Sequence, residues 1–143
     1  GPKVLEYNAR FGDPETEVVL LRLESDLVEI MNSVIDEKLE AQKIQWKDEQ
    51  AVCVVMASGG YPEHYEKDYE IKGLDEAAEI DGVTVFHAGT KKASGKTVTA
   101  GGRVLVISAA AKNYKEARDK AYSAISSIAF EKAHYRKDIG KKD

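Results

Sequence analysis

The sequence predicts an α+β fold: a small sheet-rich domain, antiparallel in tendency, carrying one long helix. Three observations carry that expectation. Ala51-Val52-Cys53-Val54-Val55-Met56-Ala57 is a near-continuous apolar run, as expected of a central strand buried on both faces. Val83–His87 and Arg103–Ser108 read as further strands bounded by glycines. Between Tyr114 and Ile128, the residues Ala117, Ala121, Ala124, Ile125 and Ile128 recur at helical spacing and mark one face.

The elements follow in chain order. Pro2–Tyr7 reads as a short strand, and Phe11-Gly12-Asp13-Pro14 as a turn, with Pro opening a helix. From Glu15 the apolar spacing is helical through Val34 and Ile35. Asp13 is expected to cap that helix, and Glu15 and Glu17 suit its positive end. A break near Glu24 lets Ser25-Asp26 start a second helix, which ends around Leu39. The polar stretch Glu40–Glu49, holding the only Trp, marks a boundary, so residues 1–40 and 41–143 are expected to be separate units. Ser58–Pro62 is a loop, and Ile71–Leu74 a short strand or turn. Ser94-Gly95-Lys96 is a turn between Thr90 and Val98, and Thr97–Thr99 is a strand. Asn113 caps the long helix, with Glu116 three residues on in a capping-box arrangement. The C-terminal lysines, Lys132, Lys137, Lys141 and Lys142, are interrupted by Asp138 and Asp143 and read as a solvated tail.

Bulk properties narrow the function classes. With 143 residues, 43% of them hydrophobic, the chain can bury a core. A net charge of −4 gives no bulk reason to expect nucleic-acid or membrane binding, and no apolar run approaches membrane-spanning length. The single Cys53 rules out an internal disulfide and fits a reducing, cytoplasmic compartment.

The chemistry-bearing residues concentrate near the start. Glu6 and Asn8, two apart on a strand, point to one face, and Arg10 continues it. Two hard oxygen donors beside a fixed cation suit Mg²⁺ and phosphate oxygens. Asp13 and Glu15 add carboxylates at the same strand end. Ser58-Gly59-Gly60-Tyr61-Pro62 could cradle an anion through its amides, and Ala100-Gly101-Gly102-Arg103 could allow close backbone approach with Arg103 meeting a phosphate or a carboxylate, but neither has the spacing of a phosphate-binding or dinucleotide motif, and plain turns are the expectation. His64, His87 and His134 lack metal-ligand spacing, His87 being expected to be satisfied by a hydrogen bond. Cys53 reads as a small core hydrophobe, Tyr61, Tyr65 and Tyr69 as packing groups, and Glu66-Lys67-Asp68 as a solvated turn.

Taken together, these residues match a known family. Asn8-Ala9-Arg10-Phe11-Gly12-Asp13-Pro14-Glu15 resembles the signature of glycinamide ribonucleotide synthetase, the phosphoribosylamine–glycine ligases. Ala57–Pro62, Lys72-Gly73-Leu74, Val85–Thr90, Thr99–Leu105 and His134–Gly140 resemble its C-terminal region in the same order. Glu17 stands where the family usually has Gln or Met, and Glu63 where it often has Gly. The resemblance implies the last strand and helices of an ATP-grasp core followed by a small C-terminal domain. It implies an ATP-dependent ligase of purine biosynthesis that joins glycine to 5-phosphoribosylamine through glycyl phosphate. It further implies Glu6 and Asn8 as Mg²⁺ (or Mn²⁺) ligands at the ATP phosphates, and Arg10 as the group steadying phosphoryl transfer. Asp13 and Glu15 would lie near the amine-bearing substrates.

On this reading the nucleotide lysines and substrate lobes lie upstream, the chain is the end of a monofunctional, bacterial-type enzyme, and it is inactive alone. The N-terminal piece is then expected to be disordered, rearranged or paired with another copy, and the helix after it to expose an apolar face. The rival expectation is a non-catalytic binding or scaffold module, related to the C-terminal domains of ATP-grasp carboxylases.

Overall fold

The computed structural model describes residues 1–141, so Lys142 and Asp143 of the expected tail lie outside the described residues. The sheet forms where the sequence is most apolar. Strand β1 (Gln50–Ser58) pairs antiparallel with β5 (Arg103–Ala111), with Val54 opposite Ile107. β2 (Val83–His87) pairs with the other side of β5, and β6 (Ala133–His134) with the end of β1. The order is therefore β2-β5-β1-β6, with the two longest apolar strands inside, where both edges are paired. A separate hairpin joins β3 (Thr90–Ala93) to β4 (Lys96–Thr99) across the Ser94-Gly95 turn.

Helix α4 (Tyr114–Ser127) covers one face of this sheet. Its alanines at 117, 121 and 124 are fully buried, and their small side chains let the helix lie close over Val52, Val54, Leu105 and Ile107. The cap forms as expected: Asn113 Oδ1 accepts from Glu116 N–H at 2.9 Å. A short helix α3 (Leu74–Ala78), which the sequence reading did not include, follows the expected strand or turn at Ile71–Leu74. Ile71 and Lys72 do run extended, but only as far as single bridges to neighbouring segments, and Gly73 at φ +78° turns the chain into the helix.

The N-terminal region does not form the strand read at Pro2–Tyr7, in keeping with the expectation that this piece is rearranged. Residues 1–9 form no strand, and Leu5 is 98% exposed. A strand needs a neighbour for its backbone groups, and no described segment pairs with this one. Helix α1 (Glu15–Val19) begins as expected, but its cap position is Pro14 and no side chain caps it. The carboxylate of Asp13 is engaged elsewhere. After a 3₁₀ turn, Asp26 caps α2 (Leu27–Ile35), accepting from Val28 and Glu29 N–H at 2.7 and 3.1 Å. Val28, Val34 and Ile35 on α2 are exposed, the uncovered apolar face expected of this helix.

Candidate functional site

Helix α1 lies on the sheet face opposite α4. Cys53, whose side chain alternates away from Val52 and Val54, has its Sγ 3.6 Å from Pro14 O. At the far end of the sheet a bulge changes this alternation. Met56 pairs with Leu105 but Ala57 with Arg103, so Val104 is an extra residue on β5. Val104 and Leu105 then both enter the α4-side core, and Arg103 emerges on the α1 side. There it meets Asp13. Arg103 Nη1 donates to Asp13 O at 3.1 Å, and Nη2 lies 3.3 Å from Asp13 Oδ2. The bulge is thus the local device that joins the N-terminal motif to the sheet.

Three of the sequence motifs converge at this same end. Ser58 N–H and Oγ donate to Gly102 O and Gly101 O at 2.8 and 2.9 Å. Gly89 N–H donates to Arg103 O at 2.8 Å, and Ala100 N–H to Gly89 O at 2.7 Å. The glycines serve close approach: a Cβ on Gly89 would sit 2.7 Å from Gly101 Cα, and one on Gly102 would strike the Tyr61 ring. The loops are therefore tight turns, as expected, tied together through Ser58, Gly89 and Ala100.

The remaining predicted residues have these positions. Asn8 Nδ2 donates to Glu6 Oε1 at 3.4 Å, so the two side chains lie together and both are exposed. Arg10 Nη1 donates to Phe11 O at 3.1 Å, and Glu15 closes over Gly12 beside Arg10. Glu6, Asn8 and Arg10 thus lie on the segment that precedes the Asp13 anchor, while Asp13 is held to the sheet by Arg103. Among the described residues no group of three His, Cys, Asp or Glu is placed to hold a metal. The donor set that exists is one carboxylate and one amide, a partial set that suits a Mg²⁺ completed by waters and phosphate oxygens.

Electrostatics beneath α1 favour neutrality. Burial, then Glu17, Glu15 and Asp13, push the Cys53 thiol from 9.0 up to about 11. Cys53 is therefore an uncharged packing group at neutral pH, not a nucleophile. Glu17 Oε2 is buried with no hydrogen-bond partner among the described residues. His87 Nδ1 lies 3.0 Å from Thr90 Oγ1, satisfied as expected. Tyr61 and Tyr65 pack edge to face at 6.2 Å. Glu66, expected in a solvated turn, is exposed yet tied to Lys132 and to the Tyr69 hydroxyl. Those two hydrogen bonds, the Lys132 one foremost, hold its carboxyl below the usual range.

Arg103, expected to meet a phosphate or a carboxylate, meets the Asp13 carboxylate. Its partner lies 90 positions away, and only the bulge aims it there. The pair is half exposed, so its contribution to global stability is small, within about 1 kcal/mol. Arg103→Met is instead expected to loosen one segment. Amide exchange at Thr16–Val18 should quicken several-fold while β5 amides keep their protection. Unchanged exchange at Thr16–Val18 would show that the pair does not anchor the segment.

A bulge-aimed arginine, two interlocked glycine loops and a docked acidic segment define a small α+β domain that presents one rigid end to a mostly exposed N-terminal arm. Residues 51–142 match the family described as phosphoribosylglycinamide synthetase, C domain, and the chain belongs to that family. A phosphoribosylamine–glycine ligase from Caldanaerobacter subterraneus is 52% identical over 139 residues, covering 97% of this chain and 33% of the relative. A trifunctional purine biosynthetic protein from Gallus gallus is 51% identical, covering 98% of this chain and 14% of the relative. A crystal structure of phosphoribosylamine–glycine ligase from Thermotoga maritima superposes with a TM-score of 0.74 at 37% identity, over 96% of this chain and 33% of that one. The chain therefore spans about a third of the length of these single ligases.

Proposed function

We propose that this chain is the C-terminal part of an ATP-dependent ligase that joins glycine to 5-phosphoribosylamine in purine biosynthesis. What carries the reading is the family match over residues 51–142 together with ligase relatives that match nearly the whole chain. ATP activates the glycine carboxylate as glycyl phosphate, with loss of ADP, and the phosphoribosylamine nitrogen displaces phosphate to form the amide. Bound Mg²⁺, or Mn²⁺ in its place, would supply charge neutralisation at the triphosphate. Glu6 and Asn8 would hold it, as hard oxygen donors beside one another on an accessible arm.

Arg10 keeps its charge at any working pH and would steady the phosphoryl group in flight. Asp13 and Glu15 would face the amine-bearing substrates, Asp13 being held in place by Arg103. The other lobes would complete the nucleotide site, and a cytoplasmic setting fits the lone free Cys53.

On this reading the 143-residue chain alone releases no ADP when given ATP, Mg²⁺, glycine and phosphoribosylamine. A full-length ligase carrying this segment releases ADP only when both substrates are present. Substrate-dependent ADP release by the isolated chain would overturn the division of labour. Failure of the full-length protein to need glycine would overturn the reaction.

A further inference from the structure

Three consecutive carbonyls, those of Gly12, Asp13 and Pro14, are each held by a different residue. Gly12 O accepts from Thr16 N–H and Oγ1 at 2.9 and 2.6 Å. Asp13 O accepts from Arg103 Nη1 at 3.1 Å, and Pro14 O lies 3.6 Å from Cys53 Sγ. Two of these holders, Arg103 and Cys53, stand on the sheet. Before Gly12 the hydrogen bonds among the described residues are local, from Asn8 to Glu6 and from Arg10 to Phe11. The chain thus passes from a free arm to a fixed turn at Gly12, and Asp13 is the middle residue of that turn.

Arg103 does more than hold a carbonyl. Its Nη2 lies 3.3 Å from Asp13 Oδ2, so one planar guanidinium fixes the main chain and the side chain of the same residue. It does so from a rigid base. Gly89 N–H donates to Arg103 O and Ser58 N–H to Gly102 O, both at 2.8 Å, and a Cβ on Gly89 would sit 2.5 Å from Arg103 O. The Asp13 carboxylate has no other task in the fold. It does not cap α1, and its Oδ1 has no partner among the described residues.

We propose that Arg103 is a positioning residue for glycine: it holds Asp13 by Oδ2 and leaves Oδ1 to accept a hydrogen bond from the glycine ammonium. This rests on the ligase reading above and deepens it. Of the two amines in that reaction, the glycine amine is a cation at neutral pH, whereas the phosphoribosylamine nitrogen must be uncharged to attack. A carboxylate with one oxygen fixed and one free therefore suits glycine. Lysine cannot do the same, because a single ammonium lacks the fork that spans a carbonyl and a carboxylate.

Initial rates of ADP release by a full-length ligase carrying this segment test this, with glycine and ATP varied in turn. Arg103→Met should raise KM for glycine about tenfold or more, while KM for ATP stays within about twofold. Arg103→Lys keeps the charge but loses one of the two contacts, and should raise the glycine KM about threefold. Asp13→Asn should match Arg103→Met. The double variant should be no worse than the worse single, because the two residues act as one unit. A merely structural Arg103 would lower the amount of active enzyme, and so kcat, with both KM values unchanged; that result overturns the proposal. So do glycine and ATP KM values that rise together, or Arg103→Met and Asp13→Asn effects that multiply. In each of these cases glycine-dependent turnover of the wild type leaves the ligase reading standing. Wild-type ADP release that needs no glycine overturns that reading and the proposal with it.

Discussion

Asn8→Ala in a full-length ligase carrying this segment is expected to lower Mg²⁺-dependent turnover by about 100-fold or more. The side chain is exposed, and its one hydrogen bond, to Glu6 at 3.4 Å, is also exposed. Nothing in the packing depends on it, so stability should change by no more than about 0.5 kcal/mol. That combination separates a ligand from a structural residue. If Asn8 supplies an oxygen to the metal, excess Mg²⁺ should recover part of the lost rate, because the variant weakens metal binding before it weakens anything else. Glu6→Gln should behave alike, with a larger loss, since it removes a charge as well as a donor. ADP release measured against Mg²⁺ concentration gives the answer. Wild-type turnover in Asn8→Ala would remove that residue from the metal site, and a loss of thermal stability would reassign it to folding.

The difference between what the sequence revealed and what it hid has a physical pattern. β1, β2, β5 and α4 were legible because their signals are local: apolar runs, glycine boundaries, a helical stripe and a cap four residues long. The capping Asn113 and Asp26 needed only their own neighbours. What was not legible depends on distant partners. Pro2–Tyr7 carries a strand-like pattern but finds no neighbour to pair with, so the pattern stays unrealised. Asp13 was read as a helix cap, a local role, yet Arg103 engages its carboxylate from across the chain.

α3 was missed because five residues are too few to show a period, and β6 because a two-residue strand exists only by pairing with Ala57 and Ser58. For the candidate site, the proximity of Glu6 to Asn8 was legible from spacing of two, whereas the bulge that aims Arg103 leaves no trace in composition.

Ile107→Ala is expected to be the most damaging single truncation in the sheet, at about 3–4 kcal/mol. Ile107 is 0% exposed, on β5 between Val54 of β1 and Val85 of β2, so both lateral neighbours are strands that cannot easily move inward. Above it lies α4, whose buried side chains are three alanines, Ala117, Ala121 and Ala124, and one larger group, Ile125. Alanine has no side-chain length with which to reach into a void, so the cavity left by three missing carbons stays largely open. That is the condition under which the cavity cost adds in full to the transfer cost. A domain of this size has only about 5–15 kcal/mol in total, so the loss is a large share.

Ile35→Ala makes the contrast. Ile35 is 77% exposed on α2, and the change should stay within about 0.5 kcal/mol in the isolated chain. Urea unfolding followed by circular dichroism would read both as midpoint shifts at constant slope. An Ile107→Ala loss below about 1.5 kcal/mol would mean that α4 can settle onto the sheet, and that the alanine stripe permits sliding rather than fixing the helix in place.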